Sequence, residues 1–254
     1  MTEKIRFDVL EDSQFELPVG YRDEDGVLHK IVTLTPMTGE TEEDIADAKV
    51  RENGGKLVTA LLNSVVVSIG TIKRVNKDII RSLSVQDRDF LMLVNRYNSL
   101  GEEINYEDTC PHCRQKNNIS INLRDIPVVY TKAEDSVDMT FDLPVGITDG
   151  MGVVHKEITI TIPTGMVQER VAPLARANPA QATTIMLQLI TKKLGTLAFI
   201  NPDTFKKMTK KDRDFISNKM SEFKVGAEMS SDTQCSTCGA EFETNIPIMA
   251  LLGE

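Results

Sequence analysis

Every cysteine of the chain lies in one of two Cys-x-x-Cys pairs, Cys110-Pro111-His112-Cys113 and Cys235-Ser236-Thr237-Cys238, which are 125 positions apart. Two soft thiolates on one tight turn are half of a tetrahedral four-cysteine zinc site, and two such turns from distant segments make a whole one. The same spacing serves redox dithiols, which sit at the start of a helix whose dipole lowers the thiol pKa. Here each pair instead precedes an alternating, strand-like run: Ile119, Ile121 and Leu123 in one case, Phe242, Thr244 and Ile246 in the other. His112 lies inside its turn and is badly placed to join the same metal, so one pair cannot complete a site by itself. The economical solution is one zinc shared by Cys110, Cys113, Cys235 and Cys238. Two pairs of ordinary buried thiols, or separate sites completed by partner proteins or a disulfide, are the alternatives.

The other chemistry-bearing residues have simpler readings. His29 and His155 occupy equivalent positions on the strand face opposite Leu28 and Val154, so they are expected to face solvent or a partner rather than a metal. Asp87-Arg88-Asp89 and Asp212-Arg213-Asp214 begin helices, where the dipole favours carboxylates; surface or interdomain ion pairs are the expectation for them. Asn53-Gly54-Gly55-Lys56-Leu57 lacks the earlier glycine and the Ser or Thr of a phosphate loop, and Asp23-Glu24-Asp25-Gly26 lacks the closing acid of a calcium loop. No Ser/His/Asp or Cys/His arrangement offers a nucleophile, and the chain is expected not to be an enzyme.

The elements that must position these residues are written twice. Phe15-Glu16-Leu17-Pro18-Val19-Gly20 returns as Phe141-Asp142-Leu143-Pro144-Val145-Gly146, and His29-Lys30 and Thr38-Gly39 return as His155-Lys156 and Thr164-Gly165, all 126 positions on. Asn76, Asp87-Arg88-Asp89-Phe90, Gly101 and the first cysteine pair return 125 positions on. Such a colinear series implies an internal duplication with one deletion, and its period is that of a domain rather than of a solenoid repeat.

Within a unit, period-two patterning at Leu28, Val32 and Leu34, and at Val154, Ile158, Ile160 and Ile162, predicts the second strand of an opening β-hairpin, with turns at Gly26 and at Gly150/Gly152. Helix starts are predicted at Thr41, Ser84, Asn178, Asn201 and Thr209, and helix stops at Gly101 and Gly226. The alternating run after each cysteine pair is expected to pair with the opening hairpin. The fold class is therefore α+β: two similar tandem domains, 1–127 and 140–254, joined by a connection at 128–139.

Composition excludes several classes. A net charge of −9, with a pI near 5.0, opposes general affinity for nucleic acid, which needs clustered Lys and Arg. Aromatic residues make up 5% with no Trp, so stacking platforms for bases or sugars are not expected. The longest apolar stretch, Leu57 to Ile72, is interrupted by Asn63, Ser64, Ser68 and Gly70 and is too short and polar for a bilayer. Met1–Asp8 has no basic region followed by an apolar run, so no secretory signal is expected and the cysteines suit a reducing cytoplasm. The apolar tail, Ile248, Met249, Leu251 and Leu252, is expected to bind a partner or else to dock in the core.

Taken together, the Leu-Pro-x-Gly strand, the Thr-Gly before the helices, the Asp-Arg-Asp-Phe helix start and the Cys-x-x-Cys with its strand resemble the T4-type phage baseplate family. That resemblance would cover nearly the whole chain, once per half. It implies a structural or assembly role at the baseplate hub of a contractile-tailed phage, with other tail proteins as partners and neither nucleic acid nor membrane. The expected locations are the host cytoplasm during assembly and the tail baseplate of the virion. An assembly factor that leaves the particle, and a dithiol or zinc-dependent enzyme, are the alternatives.

Overall fold

A computed structural model describes residues 13–253 together with strand β1, Ile5–Arg6. The expectation of no signal over Met1–Asp8 falls, apart from those two residues, outside the described residues. The fold is α+β, with helices packed on small antiparallel sheets. Among the described residues, no helix is long and apolar enough to cross a membrane.

The expected opening hairpin forms from β2 (Gln14–Arg22) and β3 (Leu28–Leu34). Its register slips between Glu16 and Tyr21, so that Leu17-Pro18-Val19-Gly20 bulges out opposite Lys30. Such a bulge leaves backbone N–H groups without ladder partners and re-aims the side chains beyond it. His29 turns inward and is 6% exposed, with Nε2 2.8 Å from the Asp23 carboxylate in the turn. The expectation that His29 and His155 face outward is therefore wrong, because the bulge changes the strand phase; His155 is likewise buried, 3.2 Å from Asp149.

Helices α1 (Gly39–Ala46), α2 (Ala48–Arg51) and α3 (Gly54–Val65) follow, and then β4 (Val66–Ile69), which adds to β3 as the third strand. The first helix starts three residues earlier than expected. Thr38 is its N-cap, and Thr41 is the reciprocal member of a capping box. Helix α4 (Lys77–Ser82) leads to α5 (Val85–Leu100), which is capped as expected by Ser84 and ended by Gly101 at φ +93°. Phe90, Leu91, Leu93 and Val94 of α5 form the middle of the main core, with Phe15, Leu17, Leu61 and Leu62 around them.

After α5 the structure departs from expectation. Strand β5 (Glu103–Thr109) pairs with β6 (Lys116–Asn122), so the run after the first cysteine pair closes on the segment before it and not on the opening hairpin. The connection then contributes β7 (Pro127–Val129), which lies between β1 and a later strand.

The rest of the chain follows the same order. Strands β8 (Asp138–Thr148) and β9 (Val154–Thr161) form a bulged hairpin, and α6 (Gly165–Ala177) and α7 (Pro179–Ile190) lead to β10 (Thr191–Leu194) at its edge. Helices α8 (Pro202–Lys206) and α9 (Lys210–Glu222) begin at Asn201 and Thr209 as expected. Gly226 does not stop α9, whose C-cap is Phe223. It belongs to β11 (Gly226–Ala227), which pairs with β7. Strands β12 (Ser230–Gln234) and β13 (Glu241–Asn245) carry the second cysteine pair between them, and α10 (Ile248–Leu252) follows.

Helix α10 docks the tail in the core: Leu251 is fully buried, Leu252 nearly so, and Ile248 packs against the main core built largely from the first half. Ile248 is half-buried and Met249 is 38% exposed. A short apolar helix started by Pro247 and ended by Gly253 at φ +82° is stable only when its face is covered. Leu251→Ala is expected to cost about 3 kcal/mol, measurable by urea denaturation.

The two halves meet through α3 and α6. A Cβ on Gly55 would lie 2.6 Å from the backbone N of Glu169, so only glycine permits this approach. Glu169, 11% exposed, accepts from the Thr59 hydroxyl at 2.6 Å and from Arg81 Nε at 3.1 Å, while its carbonyl accepts from Asn53 Nδ2 at 2.8 Å. Glu169→Ala leaves Arg81 and Thr59 without these contacts and is expected to destabilise the chain by about 2 kcal/mol. Glu169→Gln, which keeps one acceptor oxygen, should recover part of that loss in the same denaturation assay.

Candidate metal centre

Each cysteine pair occupies the tip of a two-stranded hairpin. In the first, Cys110 N donates to the Gln115 carbonyl and Arg114 N to the Cys110 carbonyl, both at 2.9 Å; in the second, Cys235 N donates to Ala240 and Gly239 N to Cys235, again at 2.9 Å. Both turns need a left-handed residue directly after the second cysteine. Gly239 supplies it at φ +73°, and Arg114 adopts φ 59° in the other turn without a glycine's freedom.

The hairpins bring their tips together. The four Sγ atoms lie within 4.8 Å of one another, with Cys110 to Cys238 at 3.8 Å and Cys113 to Cys235 at 3.6 Å. Zinc–thiolate bonds of about 2.3 Å at tetrahedral angles separate the sulfurs by about 3.8 Å, so the spacing suits that ion. Cys110 and Cys235 are buried, Cys113 is half-buried and Cys238 is exposed. His112 is exposed and outside the cluster.

Asn117 was not foreseen. Buried on the first hairpin, it reaches across to the second pair: its Nδ2 donates to Cys235 Sγ at 3.5 Å, and its Oδ1 accepts from Ser236 N at 2.9 Å and from the Ser236 hydroxyl at 3.0 Å. The only sequence signal was a polar residue in the alternating strand, at a position where the second half has Phe242. The N–H of Cys238 is the main influence holding the Cys235 thiol down to about 6, helped by Thr237 N–H and Asn117 and opposed by burial. Gln115 N–H lowers Cys113, yet burial and the three sulfurs around it push that thiol up to about 12. Four thiolates this close repel one another, and a tetrahedral cation neutralises that repulsion.

Asp214 makes the expected surface ion pair, with Lys210 Nζ at 2.9 Å, but Asp87, Arg88, Asp212 and Arg213 serve the scaffold instead. Asp87 is fully buried, and its carboxylate accepts from Val19 N at 2.8 Å, Gly20 N at 3.1 Å and the Ser84 hydroxyl at 2.8 Å, so it holds the bulge of β2. Asp212 does the same for Val145 N at 2.8 Å and Gly146 N at 3.2 Å. Arg88, also fully buried, donates to the Ile80 carbonyl at 3.0 Å, the Gly55 carbonyl at 2.9 Å and the Thr59 hydroxyl at 3.1 Å. Arg213 repeats this with the Phe205 carbonyl at 2.7 Å and the Thr184 hydroxyl at 2.8 Å. These groups are committed to the scaffold, which leaves the cysteine cluster as the site with available chemistry.

The family model described as T4 bacteriophage base plate protein matches residues 13–159 in one span, more than half of the chain. The match crosses the connection instead of falling once in each half, as had been expected. No curated protein matches, and no solved structure matches. The chain belongs to the T4 bacteriophage base plate protein family.

Proposed function

We propose that this baseplate-family chain is a non-enzymatic structural or assembly protein of the hub region of a contractile-tailed phage, and that one zinc ion on Cys110, Cys113, Cys235 and Cys238 staples its two halves together. The observation that carries the metal reading is the convergence of four Sγ atoms from hairpins far apart in sequence, at distances suited to a tetrahedral thiolate site. The family supports the baseplate role, and the commitment of the buried Asp and Arg groups to backbone contacts agrees with a scaffold rather than a catalyst.

The two halves, 1–127 and 140–254, are copies of one unit. Supporting this are the paired networks: Asp87 with Val19 and Gly20 against Asp212 with Val145 and Gly146, Arg88 with Thr59 against Arg213 with Thr184, and His29 beneath Gly70 against His155 beneath Gly195. The protein assembles in the host cytoplasm with other tail proteins and stays in the virion baseplate. Mass spectrometry of purified particles tests that placement: recovery of this chain among the tail proteins is expected, and its absence would make it an assembly factor that departs. Elemental analysis of the purified chain should give one zinc per chain.

A further inference from the structure

The two bulges are built alike but covered differently. In the first half, Pro18 is buried and Val19 is 8% exposed, because the segment after β7 runs along them. Thr131 N donates to the Pro18 carbonyl at 2.8 Å, and the Thr131 hydroxyl to the same oxygen at 3.1 Å. The Tyr130 ring meets Phe90 edge-on at 6.4 Å, and Lys30, 6.0 Å from the Tyr130 ring centre, donates to the Thr131 carbonyl. In the second half the same ledge is bare. Pro144 is exposed, and Val145 is 42% exposed. Phe215, in the place of Phe90, is only half-buried, and Lys156, in the place of Lys30, is exposed. Among the described residues no backbone N–H from outside the sheet reaches the Pro144 carbonyl, and β8 is the open edge of its sheet. The residues after β13 do not return along β8; they enter the main core as α10.

We propose that the ledge Pro144–Gly146 is a docking site for an extended segment of a neighbouring tail protein, one that presents an aromatic side chain followed by a residue with free backbone N–H and C=O. This is the chemistry that Tyr130-Thr131 brings to the first ledge. The aromatic ring covers Phe215 and Val145, the N–H goes to the Pro144 carbonyl, and the C=O takes the Lys156 ammonium. Addition of an extended segment to an open strand edge gains main-chain hydrogen bonds that the edge otherwise leaves to water. The inference rests on the equivalence of the two halves and on the baseplate reading.

The test uses the full chain, labelled for amide NMR, and a synthetic peptide of residues 126–135. Saturable shifts at Val145, Gly146 and Lys156 are expected, with affinity falling about tenfold or more in Val145→Asp and in Lys156→Ala, both at unchanged melting temperature. A peptide carrying Thr131→Pro, which lacks the N–H, should also lose binding. No shift at these amides at millimolar peptide, or equal affinity in both variants, would overturn the proposal. So would a concentration-dependent dimer abolished by Val145→Asp, which would put a second copy on the ledge. Zinc content of the same samples and recovery of the chain from particles report on the proposed function separately, so either reading can fail alone.

Discussion

If the four cysteines hold the proposed zinc, Cys110→Ser and Cys235→Ser are each expected to release it completely and to lower the melting temperature by about 10 °C. The site takes two sulfurs from each hairpin, so removing either leaves three thiolates and no closed tetrahedron. Apart from the hydrogen bonds of Asn117 to Cys235 and Ser236 and of Thr244 to Tyr106 and Asp108, the tips are held by a small cluster: Cys110, Cys235 and Phe242, with Cys113 packed against it. Isolated two-stranded hairpins are marginal in water. Zinc contributes roughly 10–16 kcal/mol to peptides with no other core, but here the bases of the hairpins already pack on the main core through Ile104, Ile121 and Ile246. With Ile104, Ile121 and Ile246 anchoring the bases, a loss of about 4 kcal/mol is reasonable, and at about 2–4 °C per kcal/mol for a chain of this size it gives the stated shift. Chelation of the wild type should reproduce the effect. Two metals per chain, or retention of metal by either single mutant, would sink the shared site.

What the sequence could reveal depended on how local the signal was. Capping at Ser84, Asn178, Asn201 and Thr209 was legible because an N-cap is a property of four neighbouring residues. The cysteine cluster was legible for a different reason: a chain with only two pairs and one composite site has a single economical pairing. The partner of β6 was not. Glu103–Thr109 is acidic, with Ile104 its only buried residue, and a hairpin with one covered face leaves little periodicity to read. Gly226 misled because α9 ends with three polar-flanked residues to spare, and the glycine serves instead where β11 passes Gln86. The inward histidines were hidden by the bulge, since strand alternation holds only while the ladder is regular.

The Leu-Pro-x-Gly and Asp-Arg-Asp-Phe motifs were each visible, but their interdependence was not, and it sets the second large effect. Asp87→Ala is expected to cost about 4 kcal/mol, because it strands the Val19 and Gly20 N–H groups and the Ser84 hydroxyl in a buried place, each at about 1–3 kcal/mol. Asp212→Ala removes the same contacts beside exposed Val145, where water can replace the carboxylate, so about 1–2 kcal/mol is expected there. Equal costs at the two positions would refute the argument from burial. Asp87 also has a pH signature. Burial pushes its carboxyl up to about 6, against the N–H of Val19, the Ser84 hydroxyl and the N–H of Gly20, which lower it. The folded state thus holds a proton that the unfolded chain has released above pH 3.8. The stability this gives is complete below that pH and is lost as pH rises through about 6. Asp89, which burial also pushes up to about 6, adds a second slope of the same sign over the same range. Asp23, held down chiefly by His29, and Asp149, held down chiefly by the Val153 N–H, act in the opposite sense below pH 3.8, where protonation removes their contribution. Urea denaturation from pH 4 to 7 should therefore show stability falling with pH in the wild type, and a shallower fall in Asp87→Asn, which has no proton to lose.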